Sequence, residues 1–304
     1  MGNLWKIKPL IDALNEHKNW SYSNMSADYS VTELVSAPQY IQLRKRHSKE
    51  IALRPMIPKS ELSSFRGTAI HSYFEKNLYQ YMKTHPNEPY LIERRIWDKI
   101  LDRKISGKFD VWYNGDLYDF KNTSTWKKIF EDFTDWEAQQ NIYALLLNKS
   151  NIDVKSVNIV CWYMDYKEPK WGHKPDPKYP DDEVEVIQLN LWTPDEQIEY
   201  LEERISLHKD NEDRQDDSLD ECSFKEMWSK PSKYAVMKEG AERASRLTET
   251  EEAAYSWIKR KGEKDTQYEV VYRPGERTKC ETFCECAPWC SQFKEYKGWT
   301  NGKT

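Results

Sequence analysis

Glycine is scarce in this chain of 304 residues, ten in all. None stands in the order Gly, four residues, then Gly-Lys-Ser/Thr that cradles a nucleotide phosphate. An ATP-driven motor is therefore not expected within it. Long apolar runs are missing too. The longest, Ile142-Tyr143-Ala144-Leu145-Leu146-Leu147, is far short of the ~20 residues that span a bilayer. Met1–Asn19 is polar and lacks the apolar core of a secretory signal. Lys6 occupies the place where an N-myristoylation signal needs Ser or Thr. The expectation is no membrane association and a reducing cytoplasm, of a bacterium or of a host cell. Cysteine is absent before Cys161, and internal repeats and low-complexity tracts are absent throughout.

What is present points to a packed globular protein. Aromatics make up 13% of the chain, with 13 Trp and 19 Tyr, against a charged fraction of 32%. So many rings argue against disorder. The net charge is −5, and all of it comes from Lys209–Glu221, where Asp210, Glu212, Asp213, Asp216, Asp217, Asp220 and Glu221 outnumber Lys209 and Arg214. That stretch reads as a solvated linker. The remainder is balanced and holds basic islands: Arg44-Lys45-Arg46 with Lys49, six bases against two acids from Arg94 to Lys108, and Lys121, Lys127 and Lys128. Such islands either contact phosphate or are solvated surface.

The pattern predicts a mostly helical first 60 residues, with Ser30-Val31-Thr32-Glu33 opening a short helix that stops near Pro38. A longer helix is expected from about Ser64 to Met82. Strands follow at Tyr90–Ile100, Lys104–Tyr113 and Leu117–Thr123. Thr134 with Glu137 has the form of a capping box opening a helix through Leu147. Strands Val157–Tyr166 and Val184–Trp192 flank a loop rich in Pro and Asp, and Thr193-Pro194 starts a helix to about His208. After the acidic stretch come a strand at Tyr234–Met237, a helix capped by Thr248 and Glu251, and a strand at Tyr268–Tyr272.

The most informative segment is Gly107 to Lys121. Asn114-Gly115 between two strand-like runs signals a two-residue hairpin loop. Tyr113 then faces Asp116, and Asp110 pairs with Asp119, their Cβ atoms ~4.5–5.5 Å apart. Lys121 projects from the same face as Asp119. Two opposed carboxylates need a cation or a shared proton, and a hard cation such as Mg²⁺ accepts their oxygens. The alternative is an exposed hairpin kept soluble by its charges. Upstream, Gly67-Thr68-Ala69-Ile70-His71 places His71 on a predicted helix. Downstream, Gln139 and Tyr143 share a helix face at i,i+4.

In this order and spacing, Gly67/His71, Gly107/Asp110, Asp119/Lys121 and Gln139/Tyr143 resemble the motifs of the PD-(D/E)XK nucleases, in their RecB-like branch, which includes the AddB and CRISPR-adaptation nucleases. The resemblance covers Ser30 to about Ser150, under half of the chain. It implies an α/β fold, a restriction-endonuclease-like core with a mixed sheet flanked by helices, and a C-terminal Cys-rich tail. The domains it implies are a nuclease domain over 1–208 with a helical N-terminal region, an acidic linker over 209–230, and over 231–304 a small α/β unit with the tail. His71, Asp110, Asp119 and the Phe120 carbonyl would ligate one or two Mg²⁺ or Mn²⁺ ions. Lys121 would position the attacking water and stabilise the charged phosphorus. Gln139 and Tyr143 would orient the DNA backbone or Lys121. Glu93, on the preceding strand, either adds a carboxylate or, followed by Arg94 and Arg95, is an ion-paired surface residue, and the second reading is preferred.

Cys280, Cys284, Cys286 and Cys290 form a C-x3-C-x-C-x3-C cluster, and thiols this dense in a reducing compartment read as metal ligands. The iron–sulfur members of the family use three C-terminal cysteines and one near the chain start, in a Cys-Pro pair. Here Ala37-Pro38 stands at that place. Either Cys286 replaces the distant ligand of a [4Fe–4S] cluster, or the tail binds Zn²⁺, or it binds nothing. Cys161 reads as core and Cys222 as a bystander. Trp126 beside Lys127-Lys128 is a candidate for stacking an unpaired base, whereas Trp97, Trp112 and Trp162 on predicted strands read as core.

The expected activity is a metal-dependent deoxyribonuclease, an exonuclease by family tendency, hydrolysing linear single- or double-stranded DNA in recombination or processing. The general look of the chain suggests a phage or mobile element, with a recombinase or single-strand-binding protein as a further partner. The rival readings are an adaptation-type nuclease within a complex, docking through Tyr234–Tyr272, and a non-catalytic DNA-binding assembly protein on a nuclease scaffold.

Overall fold

The computed structural model describes residues 26–53, 58–170, 175–261 and 267–301, and their side chains except those of 58–65 and 299–301. The readings made on Met1–Asn19 lie outside the described residues. The chain divides into two compact units: by their described residues, Met1–Ile41 with Pro55–Arg214, and Gln42–Arg54 with Gln215–Thr304.

In chain order the elements begin with β1 (Tyr29–Ser30), α1 (Val31–Leu34), α2 (Pro38–Arg46), α3 (Ser48–Leu53) and α4 (Pro58–Thr84). Then come β2 (Tyr90–Ile92), β3 (Arg95–Ile100), β4 (Arg103–Lys108), β5 (Val111–Tyr113) and β6 (Asp116–Thr123). The first unit closes with α5 (Thr125–Phe130), α6 (Thr134–Lys149), β7 (Ser156–Tyr163), β8 (Val184–Leu189) and α7 (Pro194–Asp210). The first unit is thus mixed α/β. One sheet has the order β2-β5-β6-β7-β8, parallel where β6 meets β7 and antiparallel elsewhere. A three-stranded sheet has the order β1-β4-β3. Parallel β6 and β7 need a crossover, and α5 and α6 supply it.

Strand alternation decides which helix meets which face of the central strand. On β6, Leu117 and Asp119 are buried on one side. Phe120 points the other way and stacks on Phe74 of α4, ring centroids 4.6 Å apart. The core holds Ile105, Phe109, Leu117, Ile142, Leu146, Val157, Ile159 and Leu201, all essentially sealed from solvent. Burying side chains of this size contributes about 1.5–3 kcal/mol each. Helix α6 is buried from Ala138 to Leu147, which explains why its apolar run is continuous rather than periodic.

Several expectations are corrected. The strand expected over Tyr90–Ile100 is two strands, broken at Glu93, whose φ is +48°. The strand expected over Lys104–Tyr113 is also two, and β4 and β5 lie in different sheets. Ile92, Ile96 and Ile100 are buried with one phase, so the alternation runs straight through the first break and hides it. The helix expected from Ser64 to Met82 extends from Pro58 to Thr84. Thr134 and Glu137 form no capping box: Phe133 is the N-cap residue without a side-chain bond. Glu137 instead accepts from Asn190 and from Trp192 Nε1 at 2.9 Å, tying α6 to the chain after β8. Capping boxes do form at Ser30/Glu33 and Thr193/Glu196. Trp97 is half exposed rather than core, with the Lys104 ammonium over its ring.

The second unit holds β9 (Ser229–Lys230), β10 (Lys233–Lys238), β11 (Arg246–Thr248), α8 (Glu251–Lys261), β12 (Tyr268–Arg273), β13 (Glu276–Arg277), α9 (Thr278–Thr282) and α10 (Ser291–Asn301). An antiparallel sheet β11-β10-β12 packs Val236 against Ala254 and Ile258 of α8. The first turn of α8 is capped by Thr250, whose hydroxyl accepts from Ala253 N, and not by Thr248. The acidic stretch is not uniformly solvated. Within the first unit, Glu212 takes hydrogen bonds from Tyr29 and Arg103; within the second, Asp216 pairs with Arg46 and His47. Among the described residues no helix is long and apolar enough to cross a membrane.

Candidate metal centre

Glu93 and Asp110 occupy the two breaks where the chain passes between the two sheets of the first unit. Glu93 lies between β2 and β3, Asp110 between β4 and β5, and Glu93 N donates to the Asp110 carbonyl at 2.7 Å. A glutamate at positive φ is strained, and such strain concentrates at functional sites. Helix α4 is held over the same corner, with Tyr79 donating to the Ile92 carbonyl at 3.2 Å. About two turns upstream, His71 points into it. The ligand atoms of His71, Glu93 and Asp110 all lie within 4.8 Å of one another. Among the described residues no other group of three or more His, Cys, Asp or Glu converges so closely.

Both ring nitrogens of His71 face oxygen. Nε2 is 2.9 Å from the Phe120 carbonyl, and Nδ1 is 3.5 Å from Asp110 Oδ2 and 3.9 Å from Glu93 Oε1. The neighbouring Glu93 carboxylate, reinforced by the Asp110 and Asp119 charges, raises the imidazole pKa against the opposing effect of burial. Burial first, and then the charge of Asp119, push the Asp110 carboxyl up to about 7. Glu93 is held below the usual carboxylate range despite its burial, because His71 and the Lys108 ammonium face it. Two buried carboxylates and an imidazole surrounded by acceptors are short of positive charge at their centre. A proton on His71 or Asp110 meets that need here, and a divalent cation would meet it better.

The Asp110/Asp119 relation departs from the expected ladder pair. The register is Tyr113↔Asp116, Trp112↔Leu117 and Val111↔Tyr118, in phase with expectation, but pairing ends at Val111. Freed from the ladder, Asp110 turns its carboxylate to accept from Phe120 N at 2.8 Å. Asp119 is buried, its Oδ2 2.7 Å from Lys121 Nζ and otherwise without a hydrogen-bond partner. Lys121 also donates to Gln139 Oε1 at 3.2 Å. Burial disfavours its charge, yet the Asp119 and Asp110 charges more than compensate and its pKa is raised.

Tyr143 is buried and donates to the Lys108 carbonyl at 3.1 Å. A side chain sealed in this way braces the end of β4. Its ring also explains Gly107, where a Cβ would come within 2.4 Å of Tyr143 Cε1 and 2.6 Å of a Val31 methyl. Gly67 is looser, its nearest neighbour for a Cβ being Asn122 Nδ2 at 3.8 Å.

Glu93 is the correction that matters most. It is not a surface residue paired with Arg94 or Arg95: its side chain is 9% exposed and its ion pair is with Lys108. The one signal in the sequence was its position directly after an apolar Tyr-Leu-Ile run, which by itself distinguishes nothing. Several bases of the basic islands are engaged in ion pairs. Lys127 pairs with Asp135 and Lys128 with Glu185. Arg44 pairs with Glu285 and Arg46 with Asp216. Trp126 is exposed and stacks on Phe130 at 5.7 Å. Cys161 is fully buried in β7, and burial pushes its thiol up to about 11.

No protein family matches the chain, and no curated protein resembles it closely in sequence. Solved structures similar to it include SSO0001, at 16% identity and a TM-score of 0.43, covering 66% of this chain and 85% of that one. Another is a protein from Eubacterium rectale provisionally named an exonuclease, at 15% identity and a TM-score of 0.43, covering 65% of this chain and 87% of that one.

Proposed function

We propose that the chain is a metal-dependent nuclease of the RecB-like PD-(D/E)XK type, hydrolysing phosphodiester bonds in DNA, with exonuclease action from an end as the favoured mode. The observation that carries this reading is the convergence of His71, Glu93 and Asp110 within 4.8 Å, beside the Asp119–Lys121 pair. The donor set fits Mg²⁺ or Mn²⁺: hard oxygens, one imidazole, and a buried carboxylate oxygen on Asp119 whose partner is the Lys121 ammonium. His71, Glu93, Asp110, Asp119 and the Phe120 carbonyl would hold the ion, which when bound supplies Lewis-acid charge to phosphate oxygens and lowers the pKa of water.

The remaining chemistry belongs to the side chains. Lys121 is kept protonated by Asp119 and aimed by Gln139. A cation so placed holds an incoming water by its lone pair and offsets charge building on phosphorus. Water attacks, the P–O bond to the leaving oxygen breaks, and no covalent enzyme intermediate forms. Glu93 and Lys108 hold each other, so that the Glu93 carboxylate stays ionised at the corner. Tyr143 fixes the strand end that carries Asp110.

The test is hydrolysis of end-labelled linear DNA, single- and double-stranded, with Mg²⁺ or Mn²⁺ against chelator, and with a closed circle as the control for end dependence. Wild type is expected to degrade the linear forms. Asp119→Ala and Lys121→Ala are expected to fold and be inactive. Full activity in either variant overturns the site.

A further inference from the structure

Strands β3 and β4 form a hairpin whose two faces differ in kind. Ile96 and Ile100 of β3 and Ile105 of β4 point inward and are buried. Gly107 lies on the same side, so close to Tyr143 and Val31 that a Cβ would collide with both. The alternate positions point outward, and the register pairs them as Arg95↔Lys108, Trp97↔Ser106 and Lys99↔Lys104. Four of these six residues are cations and none is an acid. Two of the three pairs set like charges directly opposite each other, which costs stability in a ladder. A polyanion laid along the ribbon offsets that cost.

The middle of the row is aromatic. The Trp97 ring is half exposed, with the Lys104 ammonium 4.6 Å from its centroid. Beside it, Arg95 Nη1 lies 3.4 Å from Ser106 Oγ, so the guanidinium reaches over the small side chain of the partner strand. Cations flanking an exposed ring are the combination that holds an unpaired nucleic-acid strand. The charges follow its phosphates, and the ring stacks a base of any identity.

The row also has a direction. β3 leaves the break at Glu93 and β4 runs into the break at Asp110. The Arg95/Lys108 pair therefore stands at the metal corner and the Lys99/Lys104 pair at the far end, four residues or about 13 Å away. The near end is tied in directly: Lys108 ion-pairs with buried Glu93 while more than a third of its own side chain stays in solvent. β3 is an edge strand, at the end of the order β1-β4-β3. Alternation also divides the basic island of this region. Arg103, opposite Ile100 on the inward side, is held within the fold by Glu212, whereas the outward bases line one surface.

We propose that the outward face of the β3–β4 hairpin is a track for an unpaired DNA strand leading to the metal corner. Arg95, Lys99, Lys104 and Lys108 hold its phosphates, and Trp97 stacks one of its bases. This rests on the reading of the corner as a nuclease site. It adds what the ligand set does not specify: where the strand lies, and that it lies there unpaired.

The experiment is binding, read by fluorescence anisotropy with a fluorescein-labelled single strand and with the blunt duplex of the same sequence. Chelator is present throughout, so nothing is cut. Wild type is expected to bind the single strand more tightly. Lys99→Gln and Lys104→Gln are each expected to weaken that binding about 5-fold at ~0.1 M salt, and to lower the slope of log affinity against log salt by about 0.7. Trp97→Ala is expected to weaken it about 5- to 100-fold and Trp97→Phe far less, with duplex binding unchanged in both. Lys99→Arg is expected to match wild type, and thermal unfolding checks that each variant is folded. Lys99 is exposed, so its variants test the track even if Trp97→Ala fails to fold. Wild-type affinity and slope in the double variant Lys99→Gln/Lys104→Gln overturn the proposal, leaving those lysines as guards of an exposed strand edge. Tighter wild-type binding of the duplex overturns it too, as does equal loss from duplex and single strand in Trp97→Ala. A chain that binds through these residues and never cuts loses the nuclease reading and keeps the track. One that cuts, with the lysine variants at wild-type affinity, does the reverse.

Discussion

The sheet corner of the first unit and the thiol cluster of the second each gather metal-binding donors, by opposite routes. At the corner, one donor comes from a long helix and two from breaks between strands, residues 71, 93 and 110. Each sits in a short motif of little distinctiveness. In the second unit four thiols fall within 11 residues, visible at once in the sequence. Yet the dispersed set is the one that closes to within 4.8 Å, whereas among the described residues no three of the thiols come so close together. Density along the chain is a poor guide to convergence, because adjacent residues point in different directions while distant ones can be aimed together by rigid elements.

Substitutions at the corner have the largest expected effect. Asp110→Ala, Asp119→Ala and Lys121→Ala should each lower hydrolysis by about 10³-fold or more with little change in melting temperature. A set in which only Asp119 and Lys121 matter would break the idea that the two strand breaks define the centre. Glu93→Gln sharpens it further. This neutral isostere should weaken Mn²⁺ binding, read by calorimetry, about 10–100-fold. Unchanged binding would leave Glu93 as a partner of Lys108 alone.

Packing at the corner ranks next. Gly107→Ala should destabilise the first unit by about 1–3 kcal/mol, seen in thermal unfolding, since the new methyl would press on Tyr143 and Val31. Because Tyr143 holds the Lys108 carbonyl, hydrolysis should fall as well. The smallest effect belongs to the second unit. Asp216 is held below the usual carboxylate range: burial opposes this, but hydrogen bonds from His47 and Arg46 outweigh it. A depressed folded pKa means that its contribution is present above the unfolded value, near pH 4, and is lost as pH falls through the folded one. The partly exposed pair is worth under about 1 kcal/mol. Asp216→Asn should therefore lower the melting temperature slightly at neutral pH, with the difference from wild type vanishing under acid conditions.

Much of the scaffold was legible from residue order. The Asn114-Gly115 loop and its register, the capped start at Thr193-Pro194 and the face shared by Asp119 and Lys121 all follow from local chemistry, and the structure holds them. Legibility ended where periodicity carried no mark of a break. Ile92, Ile96 and Ile100 keep one phase across Glu93, so nothing local distinguishes one long strand from two in different sheets. Glu137 has the spacing of a cap, but Asn190 and Trp192 offer it better partners.

The sequence by itself determined which donors exist and on what kind of element each is carried: His71 on a helix, Asp119 and Lys121 on alternate positions of a strand, thiols in a tail. Only the tertiary structure decided which of them meet. Glu93 joins His71 and Asp110 because two sheets share a corner, and Cys222 is tied to the tail because Gln292 accepts from its N–H and donates to its carbonyl. Propensity and alternation act over a few residues, whereas a ligand set is a set of distances between elements, and those are settled only when the elements pack.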